Sequence, residues 1–277
     1  GSRMNEPMRI GIAGLGSIGT GVLDLIRCHE NQLAGRASRP IEVAAVSARD
    51  KSLDRGSDIS NLIWYEDARK LATDKRIDVV VELIGGQGGI AKSLIETAIE
   101  TGKHVVTANK ALIAHHGTEL ARAAESRGLV LACEAAVAGG IPIIKVLREG
   151  LAANRIDKIY GILNGTCNYI LTDMASSGRD FDQILKEAQA LGYAEADPSF
   201  DIDGVDSAHK LAILAAVAFG NEVDFDNVYV EGIRHVSPID LEFAQELGYG
   251  IKLLGVAARI SEEHGGGIEQ RVHPCMV

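Results

Sequence analysis

Residues 14–19 read Gly14-Leu15-Gly16-Ser17-Ile18-Gly19, a GxGxxG run. It follows a short apolar segment over 9–13 and leads into a helical pattern over 20–29, with Val22, Leu25 and Ile26 on one face. Strand, glycine turn and helix in that order form the first βα unit of a dinucleotide-binding sheet. Each glycine has its own reason. Gly14 allows the tight turn, Gly16 lets backbone approach a pyrophosphate at the helix N-terminus, and Gly19 lets helix pack closely on strand. Leu15, Ser17 and Ile18 complete the cofactor-facing loop. The competing reading is a glycine-rich turn in some other α/β protein.

The rest of the first half keeps this alternation. Apolar runs over 41–46, 78–84, 104–107 and 129–133 are separated by helical patterns over 90–101 and 111–127, which close at Gly102 and Gly128. Strands alternating with helices predict βαβ units and a parallel sheet. Val79-Val80-Val81 suits a strand covered on both faces. After 142 the pattern changes. A strand over 158–164 precedes helices over 166–176 and 181–191, an Asp-rich loop over 194–204 and an Ala-rich helix over 206–219. A helix over 238–247 and strands over 251–260 and 268–273 follow, the two strands joined by Gly265-Gly266-Gly267. The expected fold class is α/β: a Rossmann-type parallel-sheet domain over 4–141, then an α+β domain over 142–277. Gly1-Ser2-Arg3, ahead of Met4, reads as an expression remnant.

Composition removes several function classes. A formal charge of −10 and 4% aromatic residues argue against nucleic-acid binding. Cys28, Cys133, Cys167 and Cys275 are far apart with no CxxC pair, which disfavours a disulfide scaffold or zinc site and fits a reduced, cytoplasmic chain. No apolar run is long enough to span a membrane.

Candidate chemistry sits at strand ends, where parallel sheets place their ligand crevice. The second strand ends at Arg49 rather than at the Asp or Glu that usually holds the ribose of NAD, and Lys51 and Arg55 are close by. A cation there suits a 2′-phosphate and favours NADP, although Asp50 keeps NAD open. Gly85 and Gly86 follow the third strand and bring backbone close to the cofactor. Lys110, in Thr107-Ala108-Asn109-Lys110, starts a helix, where a cation is disfavoured without a functional reason. Ser199, Asp201, Asp203 and Gly204 imitate the start of a calcium loop, but Lys210 occupies the place of the required Glu. Asp206 and Lys210 share a helical face at i,i+4 spacing, continued by Ile213, Leu214 and Val217. They form either a salt bridge at a domain edge or a buried, perturbed lysine suited to general acid/base work.

Taken together, EAAVAGGIP (134–142), GILNGTCNYILT (161–172), GYAEADP (192–198) and GVDSAHK (204–210), with the glycine loop and 107–110, resemble the signature blocks of homoserine dehydrogenases. The resemblance runs from Met4 to the end of the chain. It implies an NAD(P)-binding domain followed by a substrate and dimerisation domain, and a homodimer. It implies oxidoreduction between L-homoserine and L-aspartate 4-semialdehyde in threonine, methionine and isoleucine biosynthesis. By the same resemblance Lys210 is the proton-transfer residue and Lys110 lies near nicotinamide and substrate. Glu195 holds substrate, and Asp206 is a second active-site acid. Glu134, Val137, Gly139 and Ile141 would form a structural Na+ or K+ site. The family normally continues past 277, so part of the second domain is expected to lie beyond this sequence, and the form is expected to be monofunctional.

Two rival functions are carried forward. A phosphorylating semialdehyde dehydrogenase would use Cys167 as a thioester-forming nucleophile. A non-catalytic NAD(P) sensor would not need Glu195, Asp206 and Lys210 together.

Overall fold

A computed structural model describes residues 6–277; the expression remnant and Met4 lie outside the described residues. The chain divides into two compact units, the second spanning Ile144–Val277, against an expected join at 141/142.

In the first unit, β1 (Met8–Ala13) leads through the glycine loop into α1 (Ser17–Cys28) and α2 (Glu30–Ala37). Next come β2 (Ile41–Ser47), β3 (Ile63–Tyr65), α3 (Arg69–Thr73) and β4 (Val79–Glu82). α4 (Gly89–Glu100), β5 (His104–Thr107), α5 (Lys110–Ser126), β6 (Leu131–Ala132) and α6 (Glu134–Val137) complete it. The strands form one parallel sheet in the order β3-β2-β1-β4-β5-β6. Alternate side chains serve opposite faces. Ile10, Ile12, Val79 and Val81 join Leu23 of α1 in one cluster, while Val80 and Val105 join Leu71, Leu94 and Leu112 in another. Each fully buried side chain of this size contributes about 1.5–3 kcal/mol. The order reverses between β1 and β4, which opens the crevice beyond their C-terminal ends. At the opposite end of the sheet, Lys103 is buried and donates to the carbonyls of Asp74 and Ile77 at 2.7 and 2.8 Å.

Four elements of this unit, α2, β3, α3 and the four-residue α6, were not expected. α2 buries none of its residues, so no apolar stripe announces it. β3 is a three-residue edge strand held by pairing with β2. α3 is five residues long, too short to show helical periodicity.

The second unit begins in α7 (Ile143–Lys145), which starts at the join and continues as a π-helical turn over Val146–Gly150. β7 (Lys158–Gly161), α8 (Gly165–Ser177), α9 (Phe181–Ala190), α10 (Ser199–Ile202) and α11 (Val205–Phe219) follow. β8 (Tyr229–Val230), α12 (Pro238–Glu246), β9 (Ile251–Arg259) and β10 (Ile268–Met276) end it. The sheet order is β7-β9-β10-β8, with β7 and β10 antiparallel to β9 and β8 parallel to β10. β10 runs past the expected 273, through Pro274. β8 pairs only with Arg271 and Val272, so at Pro274 one side of β10 is an edge, where proline is tolerated. α8 and α11 pack on the sheet through Ile170, Leu171, Leu211 and Ala215. Gly204 starts α11 at φ 86, a conformation that favours glycine.

Candidate active site

The glycine loop shows three separate constraints. Gly14 has φ 98, and a Cβ there would lie 2.6 Å from the Leu83 carbonyl oxygen. A Cβ at Gly19 would lie 1.9 Å from the Gly14 oxygen. Both glycines are therefore demanded by the fold itself. Gly16 is different. It has φ −74, accessible to any residue, and a Cβ there would meet nothing within 4 Å. It caps α1 without a side-chain hydrogen bond, and the first turn of α1 holds no acidic residue. The open space beside Gly16 and the exposed amides of α1 fit an anionic pyrophosphate.

Beyond β2, Arg49 is exposed and makes no hydrogen bond or ion pair among the described residues. Asp50 accepts from the Ser52 hydroxyl at 2.6 Å and its amide at 2.8 Å, and these bonds hold its carboxyl below the usual range. Arg55 stacks over Trp64 at 5.6 Å. Lys51, Arg55, Ser57 and Ser60 help line a cleft of about 360 Å³.

The ends of β4 and β5 are joined by buried polar groups. The Glu82 carboxylate is completely buried. Its Oε2 accepts from Thr107 Oγ1 at 3.1 Å; its Oε1 accepts from Asn109 Nδ2 at 3.0 Å and the Gly85 amide at 3.3 Å. Asn109 Nδ2 also donates to the Gly86 carbonyl at 2.7 Å, and Asn109 Oδ1 caps α5 by accepting from the Leu112 amide at 3.1 Å. Gly85 and Gly86 both have positive φ, 90 and 89. One asparagine thus holds both the Gly85-Gly86 turn and the start of α5, whose first residue is Lys110.

In the second unit, Lys210 Nζ lies 2.9 Å from Asp206 Oδ2 and donates to the Leu163 carbonyl at 2.8 Å. Asp206 is buried, and Lys210 is mostly so. Asn164 Nδ2 donates to Asp206 Oδ2 at 3.0 Å and to Asp201 Oδ1 at 2.9 Å; its Oδ1 caps α8 by accepting from the Cys167 amide at 2.9 Å. The pair is the i,i+4 salt bridge of the first reading, and it is largely buried as in the second, so the geometry combines features of both. Glu195 is not drawn into the cluster. Its side chain is exposed, and its carbonyl accepts from Gln189 Nε2 at 2.9 Å. The sequence reading passed over the roles of Glu82, Asn109, Asn164 and Asp201. A charged residue closing an apolar strand was the available signal for Glu82.

Comparison with known proteins supplies the family. The model "Homoserine dehydrogenase, NAD binding domain" matches residues 14–134, and "Homoserine dehydrogenase" matches residues 142–277. The homoserine dehydrogenase of Pseudomonas aeruginosa is 50% identical over 98% of this chain and 61% of its own length. The structure of a homoserine dehydrogenase from Thiobacillus denitrificans is 49% identical, with a TM-score of 0.92 over 98% of this chain and 62% of that one. One from S. aureus at pH 6.0 is 36% identical, with a TM-score of 0.84 over 98% of this chain and 67% of that one. The chain belongs to the homoserine dehydrogenase family. It spans about three fifths of the length of the first two relatives.

Within this chain, the four residues that the family resemblance implies for an alkali cation fall on one short stretch. Glu134 and Val137 begin and end α6, while Gly139 and Ile141 are exposed on the segment that follows. The donor set, one carboxylate with backbone carbonyls, is all oxygen and suits a hard cation. Cys167 is a different case from the nucleophile a thioester mechanism needs. Its thiol is completely buried and donates to the Asp201 carbonyl at 3.1 Å. Burial, reinforced by Asp201, Asp206 and Asp203, pushes its pKa up to about 12, so it stays protonated at neutral pH.

Proposed function

We propose that the full-length protein interconverts L-homoserine and L-aspartate 4-semialdehyde with NADP(H), as a homodimer in the cytoplasm. The bound nicotinamide supplies or takes the hydride. The remaining work falls to this chain. In oxidation Lys210 accepts the hydroxyl proton, and in reduction it returns that proton to the forming alkoxide. Two N–H groups of its ammonium are taken by Asp206 and the Leu163 carbonyl, leaving one for the substrate oxygen. Asn164 holds Asp206 in place and so aims the amine. Glu195, exposed and uncommitted, accepts from the substrate ammonium, which would be costly to bury unpaired. Lys110 serves substrate and nicotinamide from the start of α5.

Arg49 recognises the 2′-phosphate. Asp50, the residue that would otherwise favour NAD, is occupied by Ser52. Glu134 and the carbonyls of Val137, Gly139 and Ile141 hold Na+ or K+ in a structural role.

The observation that carries the reading is the buried Asp206–Lys210 pair braced by Asn164. The test is oxidation of NADPH by full-length protein with aspartate semialdehyde, without phosphate or arsenate. Cofactor binding without turnover would instead identify a sensor. Strict phosphate dependence would restore the thioester mechanism.

A further inference from the structure

Glu82 is a buried charge that the proposed mechanism does not use. The hydrogen bonds around it run toward its two oxygens. The Asn109 amide donates to Thr107 Oγ1 at 3.0 Å, which leaves the Thr107 hydroxyl proton to point at Glu82 Oε2. Gly85 and Asn109 can only donate to Oε1. Oε1 thus meets two groups that can only donate, and Oε2 meets a hydroxyl whose own acceptor side is already engaged by the Asn109 amide. Donors converging on both oxygens are the surroundings that suit a carboxylate. All these donors are neutral, so the negative charge is solvated by dipoles without being cancelled.

Its position gives the charge a use. Glu82 closes β4, the strand beside β1 at the reversal of sheet order. In a dinucleotide-binding sheet the adenosine half lies toward β2 and the pyrophosphate at α1, which leaves the β4–β5 side for the nicotinamide half. The nicotinamide ring carries a positive charge when oxidised and none once it has accepted hydride.

We propose that Glu82 sets the redox preference of the site: its fixed buried charge favours the oxidised, pyridinium form of the cofactor over the reduced, neutral form. This rests on the dinucleotide-binding reading given above. A unit charge roughly 10 Å away in an effective dielectric of about 20 changes such a preference on the order of tenfold.

The test uses full-length protein and measures equilibrium binding, not turnover. Dissociation constants are determined for NADP+ and NADPH with the parent, Glu82→Gln and Glu82→Asp. Glu82→Gln keeps the shape and removes the charge, and its ratio Kd(NADP+)/Kd(NADPH) rises about tenfold. Glu82→Asp disturbs the hydrogen bonds but keeps the charge, and its ratio stays within about threefold of the parent. A structural role alone predicts that both variants weaken both forms in parallel, and that result overturns the proposal. A variant-free arm covers the case in which Glu82→Gln does not fold. It compares NAD+ with benzamide adenine dinucleotide, its isostere with a neutral ring, on the parent protein. A roughly tenfold preference for NAD+ supports the proposal, and equal affinity refutes it. Failure to bind any of these dinucleotides would refute the cofactor reading itself, an outcome distinct from binding without preference.

Discussion

Replacing Lys210 with Met removes the amine and keeps most of the stem. Two contacts disappear, the 2.9 Å pair with Asp206 and the 2.8 Å bond to the Leu163 carbonyl. Stranding a fully buried partner charge typically costs about 3–5 kcal/mol. Asp206 is not stranded in this way. It keeps the 3.0 Å bond from Asn164 and lies in the first turn of α11, where the helix dipole favours an anion. The expected loss of stability is therefore smaller, about 1–3 kcal/mol, the range for a lost hydrogen-bonded partner. It reads as a fall of a few degrees in melting temperature. Turnover falls much further, by about 10²–10⁴ for loss of a positioned acid/base. The assay is NADPH oxidation with aspartate semialdehyde by full-length protein, alongside a thermal melt and cofactor titration. Near-normal turnover in Lys210→Met, with collapse in Lys110→Met, would assign proton transfer to Lys110 and refute the reasoning.

Gly16→Ala should melt within a few degrees of the parent yet bind cofactor at least tenfold more weakly, whereas Gly19→Ala should lower the melting temperature because α1 must shift; unimpaired binding by Gly16→Ala would refute the pyrophosphate assignment. Arg49→Ala should weaken NADP binding on the order of tenfold through loss of a charge-assisted bond while changing NAD little, and equal losses would show that Arg49 does not read the phosphate. The Asp74 carboxyl is held well below the usual range, chiefly by hydrogen bonds from Arg76 and helped by the Tyr65 hydroxyl. Because the folded pKa is depressed, this stabilisation is present above about pH 4 and is lost as pH falls through the folded value. Asp74→Asn should therefore lower denaturant stability at pH 7, with the gap to the parent shrinking below about pH 4; a gap that persists at low pH would contradict the linkage.

Features written in adjacent residues were legible from the sequence, and features assembled across the chain were not. The glycine loop is legible because its demands act within six positions, and the structure adds the crowding at Gly14 and Gly19 and the open space at Gly16. Asp206 and Lys210 could be paired from helical spacing alone. Asn164, which braces them, stands 42 residues before Asp206, and no periodicity links the two. Glu82 passed unremarked inside the apolar run over 78–84, because its Thr107 and Asn109 partners come from the next βα unit. β3 and β8 escaped notice because they have three and two residues and are held by pairing, not by pattern. Alternation of hydrophobicity identifies long buried elements, and short edge strands carry too little of it.

The amide of Asn164 has no group to spare. Its oxygen is spent on the first turn of α8, and its two hydrogens on Asp201 and Asp206. Rotating the amide by half a turn would point its oxygen at two carboxylates and its nitrogen at a backbone donor, so only one orientation is stable. An aspartate in its place would set three acids against one another. The start of α8 and the partner of Lys210 are therefore a single mechanical part. Any movement that unwinds the first turn of α8 releases Asp206, and with it the aim of the lysine. Control over this amine can be exerted from the start of α8, through the Asp206 that Asn164 holds and through the neighbouring Leu163 carbonyl.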